Sequence, residues 1–105
     1  MIDDPLVEPM SEAQIQKDIC EYLRLSGYLV FRMNAGKVRH NVAMCPPGTP
    51  DLLAVSPRGR VRWIEVKRPG KHLSHDQELM HEDLQVRNQE VIVAYGVEDV
   101  EGFDE

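Results

Sequence analysis

Cysteine is scarce in this chain: Cys20 and Cys45 are its only two thiols, with neither CxxC spacing nor a Cys/His ligand pattern. A structural zinc site and a disulfide framework are therefore both excluded as expectations. Aromatic residues make up only 6% of the sequence, and its one tryptophan, Trp63, reads as core or interface anchor before base-stacking platform. No apolar run approaches the roughly 20 residues needed to span a bilayer. The opening Met1-Ile-Asp-Asp-Pro-Leu-Val-Glu-Pro9 is acidic and lacks both the basic and the apolar regions of a secretory leader. These absences make the cytoplasm the expected compartment, with no membrane partner. Internal repeats and low-complexity segments are missing as well.

A local absence says more. Between Arg32 and His72 the chain carries nine of its twelve Lys and Arg residues but only two of its eighteen acids, Asp51 and Glu65. The formal net charge of −6 hides this division. It argues against a uniformly polybasic binder. Two isolated carboxylates in a basic field can instead hold a hard divalent cation beside a phosphodiester, while the surrounding cations hold the polyanion.

At 105 residues, 42% of them hydrophobic and 29% charged, the chain is expected to form one soluble domain. Residues 1–10 read as a flexible arm, 11–96 as the folded domain and 97–105 as an acidic tail with at most one short helical turn. Ser11-Glu12-Ala13-Gln14 is a capping box, with Met10 and Ile15 spaced as a hydrophobic staple. Ile15, Ile19, Tyr22 and Leu23 recur at helical spacing, and Ser26-Gly27 supplies a stop, giving a helix over about 11–25. Residues 28–33 predict a strand, and 34–50, rich in Gly and Pro, a long loop. Residues 52–55 and 60–67 predict an antiparallel hairpin about Ser56-Pro-Arg-Gly59. A second capping box, Ser74-His-Asp-Gln77, opens a helix ending near Arg87-Asn88, and residues 90–95 predict a last strand. The order αβββαβ describes an α/β fold: a small mixed sheet flanked by helices.

Strand alternation places Glu65 and Lys67 on one face and Ile64 and Val66 on the other. The hairpin brings Asp51 toward Glu65 at the end furthest from the turn. Pro46, Pro47 and Pro50 stiffen the approach, and Gly48 allows close contact with backbone or ligand. Simpler readings remain open for each residue. Asp51 could only begin a strand, Glu65 and Lys67 could form an exposed ion pair, Glu12 could only favour the helix dipole, and Gln77 could only cap its helix. Trp63 reads as core or interface anchor. His40, His72, His75 and His81 lack ligand spacing and read as ordinary surface histidines.

Pro50-Asp51 followed by Glu65-Val66-Lys67 resembles the PD-(D/E)xK pattern of restriction-endonuclease-like enzymes. With Ser11-Glu12, Gly48-Thr-Pro-Asp51-Leu52 and Leu73-Ser74-x-x-Gln77, residues 11–96 resemble the virus-type replication-repair nuclease (VRR-NUC) family, in its short stand-alone form. Asn88 stands where that family often ends its helix with glycine. The resemblance implies a four-stranded mixed sheet and an endonuclease using Mg2+ or Mn2+, without a nucleotide cofactor. Asp51, Glu65 and the main-chain carbonyl of Val66 would hold the metal, Lys67 would contact the attacking water or the phosphate, and Glu12 and Gln77 would line the site. DNA contacts are expected from Arg32, Lys37, Arg39, Arg60, Arg62, Arg68 and Lys71. Short members of the family act as homodimers on junctions, so branched DNA (junction or flap) and a second copy are the expected partners, with Trp63, Val61 or the Val91–Tyr95 strand as candidate interfaces. A non-catalytic DNA-binding module and an accessory subunit of a replication or repair complex are the alternatives.

Overall fold

The computed structural model describes residues 10–33 and 45–103. Helix α1 (Glu12–Leu25) is followed by strands β1 (Leu29–Arg32), β2 (Leu52–Val55) and β3 (Val61–Val66), helix α2 (His75–Gln85) and strand β4 (Glu90–Ala94). The sheet order is β1-β2-β3-β4; the first three strands are antiparallel, and β4 joins β3 in parallel. That parallel pairing requires the crossover that α2 supplies. The αβββαβ order and the four-stranded mixed sheet expected from the sequence are both present.

Ser11 caps α1 by accepting the Gln14 N–H, but Gln14 turns its side-chain amide to Asp18 at 2.8 Å instead of returning it to the cap. Ile15, Ile19 and Leu23, four residues apart, form the buried stripe of α1. They pack on one sheet face, built from Val30, Leu52, Ala54, Ile64, Val66 and Ala94. Each fully buried aliphatic side chain in such a layer contributes about 1.5–3 kcal/mol. The turn between β2 and β3 closes through the Gly59 N–H donating to Ser56 O at 2.9 Å, with Gly59 in the left-handed region at φ 91°.

Helix α2 lies on the opposite face and is built differently. Its capping box is complete, with the Ser74 and Gln77 side chains each accepting the other's backbone N–H. Its only buried residue is His81, while Leu79 and Val86 are exposed. Asn88 ends this region at φ 62°, the left-handed turn for which the sequence offered asparagine in place of glycine.

Two expectations are corrected. Arg62, expected to contact DNA, is 2% exposed and lies on the α1 face with Ile64 and Val66. Its Nε is 3.3 Å from Glu90 Oε2, Nη1 donates to the Tyr28 hydroxyl at 3.3 Å, and the guanidinium lies 4.2 Å from the Phe103 ring centroid. The strand alternation that separates Glu65 from Ile64 also puts Arg62 inside. The folded unit also runs past residue 96: a 3-10 turn at Val97–Asp99 leads to Val100, buried in the core, and to Phe103, packed against it. Among the described residues, no helix is long and apolar enough to cross a membrane.

Candidate active site

The β2–β3 register pairs Leu52 with Ile64, so Asp51 stands level with Glu65 at the end of the hairpin away from its turn. Continuing the register sets Pro50 opposite Val66. Proline has no N–H to give the ladder, so the Val66 carbonyl receives none from that position. The Val66 N–H donates instead to Asp51 Oδ2 at 2.8 Å. At Val66, then, the neighbouring strand offers the Asp51 carboxylate to the N–H and no backbone donor to the carbonyl.

The loop leading to Asp51 is seated on α2. Thr49 folds back, its hydroxyl donating to Pro46 O at 2.7 Å. Gly48 adopts φ 84°, and a Cβ there would fall 2.1 Å from the Asp76 carbonyl oxygen. Only glycine combines that conformation with that contact. Asp51 and the first turn of α2 are therefore held in register with each other.

Glu65 is buried at 1% exposure. Its Oε1 lies 3.1 Å from His81 Nε2, and its Oε2 accepts from Gln77 Nε2 at 3.4 Å. Gln77 Oε1 meanwhile accepts the Ser74 N–H at 2.9 Å. One end of the Gln77 amide thus caps the helix while the other touches Glu65. Burial first, and then the neighbouring Asp51 carboxyl, push the Glu65 pKa up to about 9. Lys67 pulls the other way, and the Glu12 carboxylate adds to the rise. Burial, aided by the Lys67 charge, lowers the pKa of His81, so its imidazole is neutral near pH 7.

Among the described residues, no three His, Cys, Asp or Glu side chains converge as a metal cluster. The donor set is smaller: two adjacent carboxyls and a main-chain carbonyl, with Lys67 half-buried beside them. All are oxygen donors. Such a set suits Mg2+ or Mn2+, which keep several waters and bind through one or two carboxylates plus substrate phosphate. It does not suit zinc, which prefers nitrogen and sulfur. The raised pKa of Glu65 comes first from its burial and then from the Asp51 carboxyl packed beside it, with Lys67 only partly balancing them.

The family model of the VRR-NUC domain matches residues 10–98. The chain belongs to the VRR-NUC family. A solved structure described as a VRR_NUC domain is similar to it at a TM-score of 0.67 and 28% identity, over 85% of this chain and 88% of that one. No curated protein matches. Membership gives the VRR-NUC chain a nuclease-type fold, with DNA as the implied substrate.

The remaining expected residues of the VRR-NUC domain separate in space. Glu12 opens α1 and is exposed, close enough to act on the Glu65 charge. Arg32 ends β1 opposite Leu52, beside Met33, whose N–H donates to Asp51 O at 2.9 Å. Arg68 and Lys71 follow Lys67 in the loop out of β3, Arg68 half-buried and Lys71 exposed. These three cations lie at the site end of the sheet. Arg60 is at the other end, about 16 Å from Glu65 at roughly 3.3 Å per strand residue, paired with Glu90 at 3.1 Å. Lys37, Arg39 and His40 lie outside the described residues. His81 was missed: it reads from sequence as a surface histidine but is 7% exposed and bonded to Glu65. Its signal was the four-residue spacing from Gln77, which places both on one helix face.

Proposed function

We propose that this VRR-NUC domain is a Mg2+- or Mn2+-dependent, structure-selective endodeoxyribonuclease that acts on branched DNA as a homodimer. The observation that carries the reading is the packing of the Asp51 and Glu65 carboxyls beside Lys67 at one end of the sheet. Asp51, Glu65 and the Val66 carbonyl would bind the divalent cation. When bound, that cation supplies a water of lowered pKa and positive charge for the phosphate oxygens. Lys67 contributes an ammonium toward the phosphate and the attacking water. Arg32, Arg68 and Lys71 hold the strand by its backbone, a sequence-independent contact. Glu12 offers a further carboxylate from α1.

One observation supports the dimer. Leu29 and Phe31 are exposed on the edge strand β1, with Val61 exposed on β3, which provides apolar material for a two-fold interface. Trp63 is half-buried, its indole N–H donating to Gln89 Oε1 at 3.2 Å, and is a weaker interface candidate. A two-fold pair would present two sites to strands of opposite polarity, as symmetric junction cleavage requires.

The test is a cleavage panel of a labelled four-way junction, a flap and a linear duplex at fixed salt, with Mn2+ or with EDTA. Paired symmetric nicks on the junction that require the metal, from a particle of twice the chain mass in light scattering, support the whole reading. Equal cutting of linear duplex by a monomer removes the junction and the dimer. Binding without cleavage in any metal selects the non-catalytic module.

A further inference from the structure

Among the described residues, His81 is a buried polar group that touches the site and that the proposed chemistry leaves without a task. His72 and His75 are exposed on the same segment, whereas His81 is enclosed between α2 and the sheet with its Nε2 on Glu65 Oε1 at 3.1 Å. A buried polar pair of this kind is retained at a desolvation cost unless both partners are satisfied. The contact leaves the two oxygens of Glu65 inequivalent. Oε1 is held by an imidazole on a capped helix. Oε2 is touched by Gln77 Nε2 at 3.4 Å, the long limit of a hydrogen bond, from a side chain whose other end is occupied by the Ser74 N–H.

We propose that His81 is a positioning residue which, by holding Glu65 Oε1, restricts this carboxyl to offering a divalent cation a single oxygen, and so selects a small octahedral ion over a larger one. The proposal rests on the metal-dependent reading above. Mg2+ and ions of similar size bind carboxylates through one oxygen in a tight octahedron, whereas Ca2+ takes six to eight oxygens and readily accepts both oxygens of one carboxylate. A Glu65 that must release a buried imidazole before it can chelate with both oxygens penalises the larger ion. Partners of this kind, which orient a ligand from behind, typically affect metal affinity 10–100-fold.

The experiment is calorimetric titration of the full chain, without DNA, with Mn2+ and separately with Ca2+. Wild type is compared with His81→Leu, His81→Gln and His81→Asn, each first checked by circular dichroism and thermal melting. The wild type should prefer Mn2+. His81→Leu should lose about tenfold or more in Mn2+ affinity while holding or gaining Ca2+ affinity, so that the ratio of the two collapses. His81→Gln, whose amide can still reach Glu65, should keep most of the ratio, and His81→Asn, which is too short, should not. The Mn2+ concentration for half-maximal DNA cleavage should follow the same order. A folded His81→Leu with an unchanged Mn2+/Ca2+ ratio overturns the proposal while leaving the metal reading intact. If His81→Leu does not fold, equal ratios in His81→Gln and His81→Asn overturn it instead. A wild type that binds no Mn2+ defeats the metal reading itself, and this proposal with it.

Discussion

Replacing Glu65 with glutamine should stabilise the protein without metal, and by an amount that grows with pH. In the folded chain the Glu65 carboxyl keeps its proton to about 9, against an ordinary value of 4.5. Between those values the folded state binds a proton that the unfolded state has released, so unfolding becomes easier as pH rises. Full stability is present below about pH 4.5 and is lost progressively toward pH 9. Each pH unit in the window is worth about 1.4 kcal/mol, which sets a ceiling of about 4 kcal/mol at pH 7.5. Proton sharing with Asp51 spreads the titration over the pair and lowers the expected difference to about 2 kcal/mol. For a domain of this size that is roughly 10 °C in Tm. Glutamine keeps the shape, can accept from or donate to His81, and carries no charge to desolvate. The assay is thermal unfolding in EDTA from pH 5 to 8.5. Wild-type and Glu65→Gln curves should meet near pH 5 and diverge above it. Mn2+ at pH 7.5 should raise the wild-type Tm and have little effect on the variant, because a ligand stabilises only the fold that binds it. Parallel curves across the whole range would refute the account of a neutral, crowded carboxyl.

Arg62→Ala should cost roughly 2 kcal/mol or more in stability, since it takes the buried partner from the Tyr28 hydroxyl and uncovers Phe103, while Glu90 keeps Arg60; denaturant unfolding measures it, and DNA affinity in the folded fraction should be unchanged. Gly48→Ala should destabilise the Asp51 loop by at least about 1 kcal/mol, through the left-handed conformation and the clash with the Asp76 carbonyl, and should lower cleavage more than it lowers Tm. Replacing Arg68 and Lys71 together should flatten the dependence of log DNA affinity on log salt by up to about 1.8, at roughly 0.9 for each phosphate no longer neutralised. Arg60→Ala, at the far end of β3 and already paired with Glu90, should leave that slope in place.

The αβββαβ order and the hairpin were legible because each element carries its own local marker: two capping serines, an Ile15-Ile19-Leu23 stripe, and Gly59 in a tight turn. The pairing of Asp51 with Glu65 followed from the hairpin alone. Arg62 was legible in principle, because it is three residues from Glu65 on the same strand, but counting charges along the chain obscured the alternation that buries it. His81 was harder to read. Its spacing from Gln77 says that the two share a helix face, yet which face meets the sheet is settled by the crossover from β3 to β4, and that is long-range. Val100 and Phe103 were obscured by their acidic neighbours; Phe103 is drawn in by Arg62 and Tyr28, distant in sequence, and Val100 joins the core.

The most direct test of the central claim is cleavage of a labelled four-way junction by wild type, Asp51→Asn, Glu65→Gln and Lys67→Ala, each confirmed folded, across a Mn2+ titration. Each substitution removes a proposed cation ligand or a charge used in the transition state. Wild type should cut only with metal, and all three variants should lose orders of magnitude in cleavage. Glu65→Gln should be the least active in metal while remaining more stable than wild type in EDTA. Near-wild-type cleavage by any one of the three, or undiminished wild-type cleavage in EDTA, would contradict the claim.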